Sequence, residues 1–319
     1  MGYSMAGYRE LLAVEWNDNA VATFQLNFPD VPVYHGDIAK LSVTGCMKLA
    51  GLTGPGQLDV LDGSPPCQGF STAGKRQMGD SRNQLFREFV RLLEGLQPKV
   101  FVMENVPGLV KGKMKLVFAE IMRELKATGY QVKCRKLNAK WFNVPQSRER
   151  LIWIGTKQGD PSYPGAGSRL VTVREAFTNI GNPGPIQFPT GACERITKEM
   201  KPGEDGNDAF QRLNRTSVRR WFGLKRLEFD RPAKTLVKSI LSGQIHPLED
   251  RYLTGAELKR IGSFCDSFEM IGDLSIRWSL IGNSVPPLFM RAIARHIRQE
   301  LLTPLLAGSE VSKERKVQE

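Results

Sequence analysis

The sequence predicts an α/β fold, a mostly parallel sheet covered on both faces, joined to a smaller irregular domain. Three observations carry this expectation. Short apolar runs alternate with segments of helical periodicity through the first half, the alternation stops near Thr156, and residues 157–250 are rich in Gly and Pro. The 319 residues match two domains at roughly 100–200 residues each. With 41% hydrophobic and 24% charged residues, full cores can form and wholesale disorder is excluded.

In chain order, residues 11–14 (LLAV), 58–61 (LDVL), 100–103 (VFVM) and 151–154 (LIWI) read as buried strands. Residues 83–96 and 114–128 carry apolar side chains at helical spacing, and residues 131–137 form a more polar strand candidate. In sheets of this kind the ligand site lies beyond the carboxyl ends of the strands. Glu15, Cys67 and Glu104 stand at or just past such ends. After Thr156 come the pieces GDPSYPGAG, GNPGP and KPGEDG, with short strand-like stretches and no long helical pattern. Residues 211–238 hold nine Lys and Arg against two acids, with Trp221, Phe222 and Phe229 interleaved. A solvated basic face is one reading, but the mixture with aromatics is better explained as a nucleic-acid surface. Residues 287–302 form an amphipathic helix (Leu288, Phe289, Ile293, Ile297, Leu301) that should pack back on the first domain. The charged tail 308–319 lacks a core pattern and is expected to be disordered.

Composition narrows the function classes. No run approaches the ~20 apolar residues of a membrane-spanning helix, and the start MGYSMAGYRE is no secretory signal. The five cysteines (46, 67, 134, 193, 265) are odd in number, scattered, and without a CxxC pair. They argue for reduced thiols in a cytoplasmic protein, and against disulfides or structural zinc. The three histidines are far apart in sequence, so no metal is expected. The net charge of +12 points to a polyanionic partner.

Four stretches carry chemistry: Gly63-Ser64-Pro65-Pro66-Cys67-Gln68-Gly69-Phe70-Ser71, Glu104-Asn105-Val106-Pro107, Gln146-Ser147-Arg148-Glu149-Arg150 and Gly282-Asn283-Ser284-Val285-Pro286-Pro287. Singly, each has an ordinary structural reading: a buried cysteine, a polar turn, surface charge. Together, and in this order, they resemble the cytosine-5 DNA methyltransferases, whose ordered motifs include PCQ, ENV, QxRxR and GN(S/A)VPP. The resemblance runs from about residue 7 to 300.

The resemblance implies a Rossmann-like S-adenosylmethionine-dependent methyltransferase sheet with a smaller target-recognition domain. Residues 1–157 would be the catalytic and cofactor-binding domain, 158–270 the target-recognition domain, 271–306 a segment returning to the first domain, and 307–319 a tail. Cys67 would be the nucleophile and Glu104 the acid that meets cytosine N3. Asn105 would hold the loop, Arg150 would contact the base's O2, and Arg148 would support the backbone and the nucleophile. Pro65, Pro66, Gln68 and Ser71, with Arg231 and Thr235 of an RPxxTL-type motif, would contact the substrate. S-adenosyl-L-methionine would meet Glu15 at its ribose, Trp16 and Asp37-Ile38 at its adenine, and Asn283 and Val285 beyond. The implied partner is double-stranded DNA, with a cognate restriction endonuclease as functional rather than physical companion. A monomer in a prokaryotic or phage-infected cytoplasm is expected.

The chemistry needs these residue types. Cytosine C5 is a poor nucleophile, and thiolate attack at C6 converts the ring into an enamine that accepts a methyl group at C5. An ordinary thiol, with a pKa of about 8.5, is only a few per cent thiolate at neutral pH, so nearby cationic charge helps. A free Glu, at about 4.3, needs desolvation or a shared proton to donate. The family's glycine-rich first motif, FxGxGG after a strand, is absent, and that strand would lie between LLAV and LDVL. The expectation is therefore an N-terminal truncation, or a true start roughly 15–20 residues upstream, from a strand of ~5–6 residues plus a loop. Two alternatives stand beside the DNA enzyme. RNA-directed relatives typically carry PCQPFT and a CFT segment, whereas this chain has PCQGFS. A truncated, catalytically impaired DNA-binding relative is the non-enzymatic reading.

Overall fold

The computed structural model describes residues 1–66, 84–112, 114–218 and 223–303. Cys67, Gln68, Ser71, Trp221, Phe222 and the tail 307–319 lie outside the described residues.

The first half builds two sheets. β1 (Ala13–Glu15) leads through α1 (Asp18–Asn27) to β2 (Val33–His35), and the two strands pair in parallel with Glu15 opposite His35. Asn17 starts α1 by accepting the Ala20 N–H at 3.0 Å, with Asp18 favourably placed in the first turn. α2 (Val43–Leu49) follows, N-capped by Ser42. The second sheet has four strands in the order β3 (Val60–Gly63), β4 (Val100–Asn105), β7 (Glu149–Thr156) and β5 (Gln131–Asn138). Among the described residues no strand pairing joins β1 to β3.

β3 and β4 are parallel, whereas β7 runs antiparallel to both of its neighbours, so the sheet is mixed where a mostly parallel one was expected. The cause is the connection. Residues 139–148 between β5 and β7 are fewer than the roughly dozen a parallel crossover needs, so the chain turns back beside β5.

Alternation along these strands sorts two cores. Phe101, Met103, Leu151 and Trp153 face α3 (Gln84–Leu96) and α4 (Met114–Ala127), meeting Phe89, Leu93, Ile121 and Leu125. Val100, Val102, Ile152 and Ile154 face α10 (Pro287–His296) and its continuation through Leu302, meeting Phe289, Ile293 and Ile297. The C-terminal helix thus returns to the first unit as its periodicity predicts. Gly155 is required here, because a Cβ would stand 1.9 Å from the Phe101 ring.

The second unit contains α5 (Val173–Phe177), α6 (Gly191–Glu199), α7 (Gly206–Asn214), α8 (Gly255–Ile261) and α9 (Leu274–Asn283), with the two-residue strands β8 (Lys225–Arg226), β9 (Ala233–Lys234) and β10 (Gln244–Ile245). Its core gathers Val173, Leu224, Leu236, Ile245, Leu258, Trp278 and Ile281. Helices α6 and α7, nine residues each, occupy a stretch read as having no long helical pattern. The basic segment also differs from expectation in part. Arg226 is buried and donates to the carbonyls of Thr197, His246 and Glu249, and Phe229 packs against Phe177 and His246 under the Arg174 guanidinium. These two side chains serve the core of the second unit. The units are joined where β6 (Gln146–Ser147) pairs in parallel with β9.

Candidate active site

The sheet face that packs on α10 becomes charged at its carboxyl end. Residues two apart share a face, so Val60 is followed by Asp62, Val102 by Glu104, and Ile152 is preceded on β7 by Arg150. β4 and β7 are antiparallel with Glu104 opposite Ile152, which sets Arg150 diagonally across from Glu104. The Arg150 Nε donates to Glu104 Oε1 at 2.6 Å, both side chains being about nine-tenths buried. Burial raises the Glu104 carboxyl above its ordinary value, opposed by the charges of Arg150 and Arg148 and by the Ser64 hydroxyl that donates to it. Burial likewise pulls Arg150 down, against the pull of Glu104. The site thus holds a carboxyl whose proton is shifted toward neutral pH, next to a guanidinium that donates to it.

Neighbouring residues fix this pair. Asn105 Nδ2 donates to the Pro65 carbonyl at 2.8 Å, and its Oδ1 accepts the Val106 N–H at 2.8 Å. Pro65, two residues before Cys67, therefore sits against the end of β4. Arg148 is only 2% exposed, and its terminal nitrogens donate to the carbonyls of Leu236 and Gly282, each at 2.8 Å. Asp62, walled by protein but in contact with solvent, accepts the Tyr3 hydroxyl at 3.1 Å, and burial raises its carboxyl. The structure therefore brings Glu104, Asn105, Arg148, Arg150 and Pro65 together. Ser64 and Gln146 are further members that residue-by-residue reading passed over. Both stand inside the quoted motifs, which was the available signal.

A second group gathers at the carboxyl ends of β1 and β2. Glu15 Oε1 accepts the backbone N–H groups of Trp16 and Asn17 at 2.8 and 2.9 Å, and the Trp16 indole is 77% exposed. The Gly36 N–H donates to the Glu15 carbonyl, placing Asp37 and Ile38 next door, where Asp37 caps a short 3-10 turn through Ala39. A carboxylate at a strand end, able to accept from ribose hydroxyls, beside an exposed indole that offers a ring face, fits an adenosine. Asn283 is exposed at the end of α9, and Val285 is half-buried in the α10 core with Tyr3 and Tyr8. Among the described residues no hydrogen bond joins these two to the Glu15 group. Arg231 lies exposed on the surface, with Glu228 at 3.4 Å, whereas the Thr235 hydroxyl donates to the Ser147 carbonyl at 2.7 Å.

No group of three or more His, Cys, Asp or Glu arranged for a metal occurs among the described residues. No helix among them is long and apolar enough to cross a membrane.

The chain is similar to known proteins along nearly its whole length. The family model for C-5 cytosine-specific DNA methylase matches residues 1–299. The chain is 35% identical to the Type II methyltransferase M1.HphI of Haemophilus parahaemolyticus, over 93% of this chain and 82% of that one. It is 31% identical to the Type II methyltransferase M.DdeI of Desulfomicrobium norvegicum, over 93% and 85%. Among solved structures, one described as a prophage-encoded DNA modification methyltransferase of E. coli superposes with a TM-score of 0.74 at 23% identity, covering 94% of this chain and 95% of that one. The S. pombe Dnmt2 methyltransferase superposes at 0.65 and 18%, over 95% and 94%. These structural likenesses establish the fold as that of an α/β methyltransferase. Sequence, motif order and sheet together place the chain in the C-5 cytosine-specific DNA methylase family.

Proposed function

We propose that the protein flips a cytosine out of duplex DNA and methylates it at C5, with Cys67 as covalent nucleophile. The observation that carries the reading is the buried Glu104–Arg150 pair at 2.6 Å, at the end of the strand to which the Pro65 turn is tied. The thiolate of Cys67 attacks C6, and electron density moves toward N3. Glu104, whose carboxyl burial raises above its ordinary value, protonates N3 as a general acid. Arg150 then shares its guanidinium between Glu104 and the base's O2, holding the ring in plane with the acid. S-adenosyl-L-methionine, when bound, supplies the electrophilic methyl group for C5. Glu15 would hold its ribose, Trp16 and Asp37-Ile38 its adenine, and Asn283 and Val285 its remaining part. Solvent water then takes the C5 proton, the electrons of that bond form C5=C6 as the C6–S bond breaks and the thiolate leaves, and N3 returns its proton to Glu104, which restores the aromatic ring.

Extrusion of the base costs a few kcal/mol, offset by contacts in the pocket and along the backbone. Pro66, Gln68 and Ser71 would line the base pocket, and the exposed Arg231 would meet phosphate. Residues 158–270 would read the target, with a restriction endonuclease of the same specificity as genetic companion. A monomer in the cytoplasm is the expected working form. Bisulfite sequencing of DNA from cells expressing the protein tests the reading. Protected cytosines at one short recurring sequence support it; unmodified DNA from cells holding folded protein contradicts it. Modified tRNA alone would transfer the activity to RNA.

A further inference from the structure

Residues 146–148 do more than lead into the catalytic strand. The Gln146 side chain accepts the Leu236 N–H through Oε1 at 3.1 Å and donates to the Ile261 carbonyl through Nε2 at 3.3 Å. Ser147 offers its carbonyl to the Thr235 hydroxyl. Arg148 donates to the Leu236 carbonyl with one terminal nitrogen and to the Gly282 carbonyl with the other. The Leu236 peptide is thus held on both sides, and Arg148 spans two segments that lie 88 and 134 residues away. Its backbone is held as well, since its N–H donates to Asn138 Oδ1 and its carbonyl accepts the Ala139 N–H. Arg148 Nε makes no hydrogen bond among the described residues, so the guanidinium meets the carbonyls with its two outer nitrogens.

A buried guanidinium is retained at a cost, and one whose donors end on two distant backbone carbonyls fixes the separation of those segments. Arg150, two residues on, holds Glu104. We propose that Arg148 is a positioning residue: by bridging the Leu236 and Gly282 carbonyls it seats the second unit over the Arg150–Glu104 pair, and it acts on neither the Cys67 thiol nor phosphate. This rests on the function proposed above and sharpens the role of Arg148 within it.

The test compares wild type, Arg148→Lys and Arg148→Met on a duplex containing the methylated sequence. Steady-state rates, the pH profile of Cys67 alkylation by iodoacetamide (read by peptide mass) and the salt dependence of duplex binding are measured, with melting as the control for folding. Lysine keeps the charge and loses the planar fork, and a displacement of about 1 Å costs on the order of 100-fold in rate. The expected result is a kcat reduced roughly 10-fold in Arg148→Lys and roughly 100-fold in Arg148→Met, at nearly constant KM for DNA. The alkylation profile stays in place. An alkylation profile moved to higher pH would make Arg148 an electrostatic partner of the thiol and overturn the proposal. So would a raised KM with a salt slope reduced by about one, the mark of a lost phosphate contact. If Arg148→Met fails to fold, Arg148→Lys carries the test, and a kcat equal to wild type overturns the proposal. Wild-type protein inactive on every duplex would instead overturn the proposed function.

Discussion

Gly282 gives the sharpest perturbation of the joint between the two units. It lies in α9, and a Cβ placed there would meet the Val237 carbonyl oxygen at 2.5 Å, the Val237 carbonyl carbon at 2.6 Å and the Lys238 Cα at 2.8 Å. All three are backbone atoms, so no rotamer change relieves the overlap. Bringing the nearest of them to ordinary contact requires a shift of about 1 Å in the strand-like segment that carries Leu236 or in the end of α9. Either movement pulls on the Arg148 bridge, since both of its acceptors lie on the displaced elements. Gly282→Ala should therefore destabilise the protein by about 1–3 kcal/mol and slow methyl transfer by on the order of 100-fold. Single-turnover methylation, with thermal unfolding measured on the same preparation, separates the two effects. A variant that loses stability yet keeps the wild-type rate would refute the argument that the joint sets the active geometry.

Further outcomes follow from the same geometry. Glu104→Gln removes the acid and should lower kcat by roughly 10²–10⁴-fold with duplex binding retained, measured by rate and gel shift. Because burial raises the Glu104 pKa, its protonated form persists to higher pH than an ordinary carboxyl, and kcat/KM should fall as pH rises through that value. This alkaline limb should vanish in whatever residual activity Glu104→Gln keeps. Trp16→Ala removes an indole that is 77% exposed, so stability should stay within about 0.5 kcal/mol while the KM for S-adenosyl-L-methionine rises. Arg251→Met breaks a buried two-bond pair with Glu257, at 2.8 and 2.9 Å, and should cost about 3–5 kcal/mol in denaturant unfolding.

Much of this was legible in the sequence, for reasons that differ by element. VFVM and LIWI are unbroken apolar runs, and burial on both faces demands such runs, so both strands were found. Their relative direction was not, because an apolar run carries no polarity; the short connection from β5 decides it. β2 escaped notice because three residues give no period to read. Arg226 and Phe229 sat in a basic and aromatic stretch yet turn inward, since composition does not record which side chains of a segment meet the core. Glu104, Asn105 and Arg150 were legible because their motifs end or begin strands, and sheet pairing converts that into contact. The acceptors of Arg148 were not, because Leu236 and Gly282 offer backbone carbonyls of distant segments that no side-chain pattern marks.

The central claim is that Cys67 opens the reaction by adding to cytosine C6. A duplex carrying 5-fluorocytosine at the methylated position tests it most directly, because fluorine cannot leave as the C5 proton does. Incubated with this duplex and S-adenosyl-L-methionine, the protein should form a denaturation-resistant adduct whose DNA-bearing peptide contains Cys67. No adduct under conditions that methylate the ordinary duplex, or one attached to a different cysteine, would contradict the account.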